Sequence, residues 1–281
     1  MSDERPLSHA DTTAYEGGTD NCTVELVDSA LVVTMNRPEA KNSLSSSMLV
    51  AMADAWVRAD EDDDVRSVVL TGAGGNFCTG MDLKAFAGDD QGDERWAARM
   101  AEDGDLHWKA LLRHHQPKVP LLAAVEGYAV AGGTEILQGT DIRVAGETAT
   151  FGVFEAKRGL FPLGGSTVRL RRQIGFTNAM DLLLTARGVT AQEAKEMGLI
   201  GYVVPDGQAL DKALEVAGVI AKNGPLAVEA IKRSVVESEG LSEVDGLANE
   251  LELGWPIFAT EDAKEGAKAF AEKRDPVWKR K

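Results

Sequence analysis

The stretch Leu121-Leu-Ala-Ala-Val-Glu-Gly-Tyr-Ala-Val130-Ala-Gly-Gly-Thr-Glu135-Ile-Leu-Gln-Gly-Thr140-Asp-Ile-Arg-Val-Ala-Gly146 decides the fold class. It reads as a buried strand (121–129), a glycine-rich turn, a helix from about Gly133 and a short second strand at DIRVAG. The same unit occurs earlier. TVELV and ALVVTM read as two strands around Asp28-Ser29, Ser45 is placed to cap a helix carrying Met48, Leu49, Met52 and Trp56, and VRSVVLTG follows as a strand. Repeated strand-turn-helix units predict an α/β fold rather than a bundle or a sandwich.

Outward from this centre the pattern changes at both ends. Residues 1–20 are polar with Gly17-Gly18 and no periodicity, and are expected to form a disordered leader. Residues 21–205 form the expected core. Residues 206–281 read as a helical appendage, with an amphipathic segment from Leu210 to Ile220, a break at Gly224-Pro225 and a last helix containing Phe270, capped by Asp262 and Glu265 and stopped by Pro276. Thr190 and Glu193 form a capping box.

Composition narrows the function classes. A 281-residue chain that is 44% hydrophobic buries a sizeable core. Its formal net charge of −15 opposes binding to phosphate polymers and anionic membranes, so no nucleic-acid or membrane partner is expected. No apolar run approaches the ~20 residues of a bilayer span, and the polar N-terminus lacks the apolar centre of a signal peptide. Cys22 and Cys78 offer neither a disulfide framework nor zinc spacing, which suits a reducing, cytoplasmic compartment.

Two glycine-rich turns at strand-to-helix junctions carry the chemistry: Gly72-Ala-Gly-Gly-Asn-Phe-Cys-Thr-Gly80-Met81-Asp82 and Gly127-Tyr-Ala-Val-Ala-Gly132-Gly133-Thr-Glu135. Glycine permits close approach of a ligand to the backbone, and the first N–H groups of the following helix are unpaired at its positive end. Such turns can hold an oxyanion; they are also ordinary tight turns. A dinucleotide fingerprint is excluded at the first, because Phe77 stands where the third glycine belongs. Glu135 and Glu155 lie in apolar stretches that raise carboxylate pKa values, as general acid/base chemistry requires, although on the residues alone an ordinary surface glutamate is the better fit for either. Cys78 fits core packing better than a nucleophile. His107, His114 and His115 share one polar helical stretch, and Arg169, Arg171 and Arg172 are expected to face solvent or a neighbouring subunit. Residues 85–118 open with AFAGDDQGDE and continue with Trp96, Met100, Leu106, Trp108, Leu111 and Leu112 at mostly helical spacing; this segment either roofs an acyl pocket or packs on the core.

Taken together, these segments resemble the enoyl-CoA hydratase/isomerase (crotonase) superfamily from about Asn36 to Phe270. Asn36-Arg-Pro-Glu-Ala40-Lys41-Asn-Ser-Leu44 resembles its first coenzyme-A loop, Phe77-Cys-Thr-Gly-Met81-Asp82-Leu83-Lys84 its first oxyanion segment, and Phe151-Gly-x-x-Glu155 with Pro162 its second catalytic region. The resemblance implies a crotonase-type spiral of repeated ββα units with a C-terminal helical trimerisation region, assembled as a trimer or hexamer. It implies a hydratase acting on an acyl-CoA thioester, with coenzyme A as part of the substrate and no permanently bound cofactor or metal. By resemblance the N–H groups of Met81 and Gly132 form the oxyanion hole, Glu135 is the base and Glu155 the acid. Ala40, Lys41, Leu44, Asp82, Leu83 and Lys84 contact the coenzyme or substrate, and Phe270 and Lys273 reach it from a neighbouring subunit. Ala131 and Leu163 depart from glycines common in hydratases and adjoin the pocket, so Leu163 joins Trp96 and Met100 as an acyl-pocket position. Stretches such as GGTEILQGTDIRVAG and EAKEMGLIG resemble actinobacterial members. The alternatives within the family are isomerisation or dehydration of a 3-hydroxyacyl-CoA of the carnitinyl type. A non-catalytic scaffold or RNA-binding member is the alternative outside catalysis.

Overall fold

The computed structural model describes residues 18–82 and 94–281. A six-stranded sheet has the order β1-β2-β3-β4-β6-β9, built from β1 (Cys22–Val27), β2 (Ala30–Met35), β3 (Ser67–Gly72), β4 (Leu121–Val125), β6 (Ile142–Gly146) and β9 (Tyr202–Val204). Within this sheet, among the described residues, the β1–β2 pair is antiparallel and the other pairs are parallel. A smaller sheet has the order β5-β7-β8, from β5 (Tyr128–Val130), β7 (Thr150–Gly152) and β8 (Val189–Thr190). The chain alternates between the sheets: β4 leads into β5 and β6 into β7.

The expected strand over 121–129 is thus two strands, split at Glu126-Gly127. The apolar pattern runs through both, so periodicity did not signal the change of sheet. The other elements are α1 (Ser46–Glu61), α2 (Glu94–Glu102), α3 (Leu106–Ala110), α4 (Gly132–Leu137), α5 (Ser166–Gln173), α6 (Phe176–Thr185), α7 (Ala191–Glu196), α8 (Ala209–Ala221), α9 (Pro225–Glu237), α10 (Glu243–Phe258) and α11 (Glu261–Glu272).

Side chains alternate across the large sheet, as strand geometry requires. Leu31, Val33, Val68, Leu70, Leu121 and Ala123 face the main core with Met48, Met52 and Trp56 of α1. Val32, Val69, Leu122 and Val144 face the other side, where Ala209, Ala213 and Ala217 of α8 pack against them. Alanine at every fourth position gives α8 a smooth face that lies close to the strands. The helix that follows residue 205 thus lies against the sheet as part of a second buried cluster.

Two further expectations change. Thr19 is buried and pairs with Cys22, so order begins before residue 21. Thr260, not Asp262, caps α11, its side chain accepting from the Ala263 N–H. Asp262 is buried and accepts instead from the N–H groups of Lys279 and Arg280, while Glu265 pairs with Arg274. Ser45 and the Thr190–Glu193 capping box act as their sequence predicts.

Candidate active site

The loop before α1 and the turn after β3 meet β5 and α4 at one place. Asn42, fully buried with a positive φ, donates to the carbonyls of Ala73 and Asn76 and accepts from the Arg37 N–H. Asparagine tolerates the left-handed region and fills both bonding roles here. Arg37 donates to the Ser43 carbonyl and pairs with Asp82 at 3.2 Å. These two residues tie 36–44 to 72–82, and the sequence reading assigned neither. The signal present was an Asn four residues after Pro38, which is compatible with many loops.

Leu44 bridges to Met81, and its N–H donates to the Gly80 carbonyl at 2.8 Å; Cys78 bridges to Ala129. Gly80 and Gly132 are consequently in contact. A Cβ on Gly80 would lie 2.8 Å from the Gly132 nitrogen, and one on Gly132 would lie 3.7 Å from the Met81 nitrogen and 3.5 Å from Leu44 Cδ1. Glycine is required at both positions for the two turns to touch. The Met81 and Gly132 nitrogens are therefore both at the contact between the two turns, and Gly132, at the first position of α4, has no intrahelical acceptor. Met81 exposes 52% of its surface, and the residue before Gly132, Ala131, has φ 51° and ψ −126°. That conformation is strained for an L-residue and is fixed by the Ala131 N–H donating to the Gly152 carbonyl at 2.7 Å. Thr134 supports it, since its hydroxyl donates to the Ala129 and Gly152 carbonyls and accepts from the Gly152 N–H.

Glu135 is three residues beyond Gly132 on α4 and is buried. Its carboxylate faces the start of α5. Ser166 N–H donates to Oε1 at 3.2 Å, and a Cβ on Gly164 would lie 2.7 Å from Oε2. Burial raises the Glu135 pKa, while hydrogen bonds from Ser166, Gly164 and Gly165 act in the opposite direction by favouring the ionised form. Gln138 donates to Ser166 Oγ at 2.8 Å and so fixes that hydroxyl. Glu155 starts a 3₁₀ turn after β7. Burial and then the charge of Glu135 push its carboxyl up to about 7. Among the described residues, its Oε2 is buried without a hydrogen-bond partner. Two carboxylic groups in electrostatic contact thus have opposite surroundings, one rich in donors and one poor.

The remaining candidates divide into near and distant positions. Leu163 is 55% exposed beside Gly164, and its carbonyl accepts from Arg113. Ala40 accepts from Thr79 through its carbonyl, and the Lys41 ammonium lies 4.6 Å from the Tyr128 ring centroid. Leu83, Lys84 and the run from 85 to 93 lie outside the described residues. Trp96, only 5% exposed, is part of the main core; Met100 packs against it, and Arg99 pairs with Asp54 of α1. Phe270 is 87% exposed near the end of α11, followed by Lys273 in the left-handed conformation. No hydrogen bond, ion pair or ring contact among the described residues joins either to the glutamates.

Two other sequence readings are resolved. Cys78 is buried and its thiol is pushed up to about 12 by burial, which removes it as a nucleophile at neutral pH. Arg169 is corrected: it turns inward from α5, donates to the Leu112 carbonyl and lies within electrostatic reach of Glu135. Among the described residues, no group of three or more His, Cys, Asp or Glu side chains is arranged to hold a metal ion.

The enoyl-CoA hydratase/isomerase family model matches residues 25–281. Enoyl-CoA hydratase EchA19 of Mycobacterium tuberculosis is 57% identical over 253 residues, which is 90% of this chain and 94% of that protein. The 2,3-dehydroadipyl-CoA hydratase of Escherichia coli is 36% identical over 249 residues, covering 89% and 94% of the two chains. The crystal structure of an enoyl-CoA hydratase from Mycobacterium tuberculosis superposes with a TM-score of 0.85 at 42% identity, covering 93% of this chain and 99% of that one. On its sequence and its fold alike, the chain belongs to the enoyl-CoA hydratase/isomerase family.

Proposed function

We propose that this chain is an enoyl-CoA hydratase that adds water reversibly to a trans-2-enoyl-CoA, giving a 3-hydroxyacyl-CoA. The observation that carries the reading is the glutamate pair. Burial raises the Glu135 pKa against N–H donors that favour its ionised form, and Glu155, which lacks such donors, is pushed up to about 7 beside it. A donor-supported base next to a carboxyl that holds its proton is what the addition of water requires.

In the forward direction Glu135 takes a proton from water as its oxygen bonds to C3. The electron pair of the double bond moves toward the thioester oxygen, held by the N–H groups of Met81 and Gly132. Preorganised donors of this kind contribute about 10²–10³-fold each. Glu155 then delivers its proton to C2, restoring the carbonyl. Exchange with solvent returns Glu135 to its ionised and Glu155 to its neutral state.

Ala40, Lys41 and Leu44, with Asp82, Leu83 and Lys84, form the coenzyme side of the reading. Asp82 contributes by fixing Arg37 and the loop that carries Lys41. Leu163, exposed beside the Glu135 shell, is the first acyl-pocket position; Trp96 and Met100 act through the seating of α2. The alternation of strands between two sheets supports the spiral of ββα units, and the exposed apolar faces of α9 and α10 support a trimer or hexamer in which Phe270 and Lys273 approach a neighbour's coenzyme. Two free, buried cysteines suit the cytoplasmic setting.

The test is a panel of trans-2-enoyl-CoA thioesters from short to polycyclic, followed by loss of the conjugated thioester absorbance and by identification of the product. Formation of a 3-hydroxyacyl-CoA supports the reading. A shifted double bond with no hydroxyl would assign isomerisation, and no conversion of any member would exclude catalysis on this substrate class.

A further inference from the structure

Arg169 turns inward against the segment that faces Glu135. Gly164 and Gly165 are adjacent, and each has one ion against it. A Cβ on Gly164 would strike Glu135, and one on Gly165 would lie 3.4 Å from Arg169 Cδ and 3.6 Å from its Nε. The Arg169 N–H also donates to the Gly165 carbonyl at 2.9 Å. Its guanidinium spans the space between the Leu112 carbonyl and Gly139, where a Cβ would lie 3.1 Å from Nη1. The segment 164–166, whose N–H groups face Glu135, is thus backed by the Arg169 side chain.

The same guanidinium is incompletely compensated. Among the described residues, Nη1 is buried and has no hydrogen-bond partner. Burying such a group without a partner carries a penalty, so its retention calls for a return elsewhere. The charges around it are Glu239 at the end of α9, Arg113 after α3, Arg143 on β6 and Glu135 on α4. Glu239 is shared with Arg172, 3.5 Å away on the surface. Glu135 in turn faces Glu155 and Arg169.

We propose that Arg169 is a positioning residue for Glu135: its stem holds the 164–166 segment against the carboxylate, and its buried positive charge keeps that carboxylate ionised. This rests on the reading of Glu135 as the base. The arrangement also accounts for the repulsive neighbour. Glu155 raises the cost of a charge on Glu135, and the Arg169 cation within electrostatic reach offsets it without a hydrogen bond that would compete with water for the carboxylate.

The experiment compares the pH dependence of kcat/KM for hydration in the wild type, Arg169→Met, Arg169→Gln and Arg169→Lys, with Glu135→Gln as the control. Loss of the charge moves the acid limb to higher pH, so the Met and Gln variants lose about tenfold more activity at about pH 6 than at about pH 8. KM for the thioester stays near the wild-type value, and Lys restores the limb even where it does not restore kcat. Should Met not fold, the Gln and Lys pair carries the comparison. A uniform loss across pH, or a Lys variant whose limb moves with Met and Gln, would make Arg169 merely structural and overturn the inference. A Glu135→Gln enzyme with near wild-type turnover would instead remove the assignment of Glu135 itself, and an inactive Glu135→Gln beside unmoved Arg169 limbs would overturn the role of Arg169 alone.

Discussion

At Glu155 the chemistry depends on a proton that burial and a neighbouring charge retain up to about 7. Hydration consumes that proton, so its rate falls as pH rises through this range. Dehydration needs the ionised form of Glu155 and gains as pH rises through the same range. Measuring both directions with one substrate pair should give limbs of opposite sign near neutrality; limbs of the same sign would contradict the assignment. Ala131 allows a second prediction at this scale. Its positive φ costs about 1–2 kcal/mol for a residue with a Cβ, of which the added backbone freedom of glycine in the unfolded chain returns about 0.4–1. Ala131→Gly should therefore stabilise the protein by about 1 kcal/mol in denaturant titration, and a loss of stability would show that the strain is relieved in solution. The apolar neighbours of the glutamates did not by themselves separate them from surface carboxylates; the family resemblance singled them out. Arg169 was not, because Arg169, Arg171 and Arg172 look alike in a polar helix. What separates them is the Leu112 carbonyl, 57 positions away in the chain.

Among the elements, α4 and the start of α5 hold the pair in place. Gly164→Ala would set a methyl group 2.7 Å from a Glu135 oxygen. The segment must then move off its acceptor, and kcat should fall by more than about tenfold while the melting temperature changes little, because a misplaced catalytic group costs rate before it costs stability. Unchanged kcat would mean that this segment does not position Glu135. Thr134→Val leaves the Gly152 N–H without its hydroxyl partner in a buried setting, for about 1–3 kcal/mol of destabilisation. Caps and glycine turns were readable from sequence because their rules act within a few residues: Ser45, the Thr190–Glu193 box and the helix start at Gly132 all follow local rules. The change of sheet at Glu126-Gly127 and the use of Asp262 to hold the chain end were not, since each is decided by a partner far along the chain. The same holds for α8, whose Leu210-to-Ile220 pattern signalled an amphipathic helix but not the sheet it covers.

For the molecule as a whole, the surface outside the core explains why assembly belongs to the account. Val244, Leu247, Leu251, Trp255 and Phe258 are all exposed and recur three or four positions apart, forming one stripe along α10; Ile231 and Val235 of α9 are exposed as well. Contiguous apolar surface of this kind is suited to a subunit interface, and we propose that it serves as one. Sedimentation should give a trimer or hexamer, and Leu251→Glu should reduce its size; a wild-type monomer would remove the reach of Phe270 across an interface. The central claim is the division of labour between the two glutamates, and it is tested most directly by steady-state turnover of an enoyl-CoA by Glu135→Gln and Glu155→Gln, with thioester binding measured on the same preparations. The account predicts that each substitution lowers kcat by more than about 10²-fold while binding is largely retained. Near wild-type turnover in either variant would contradict it.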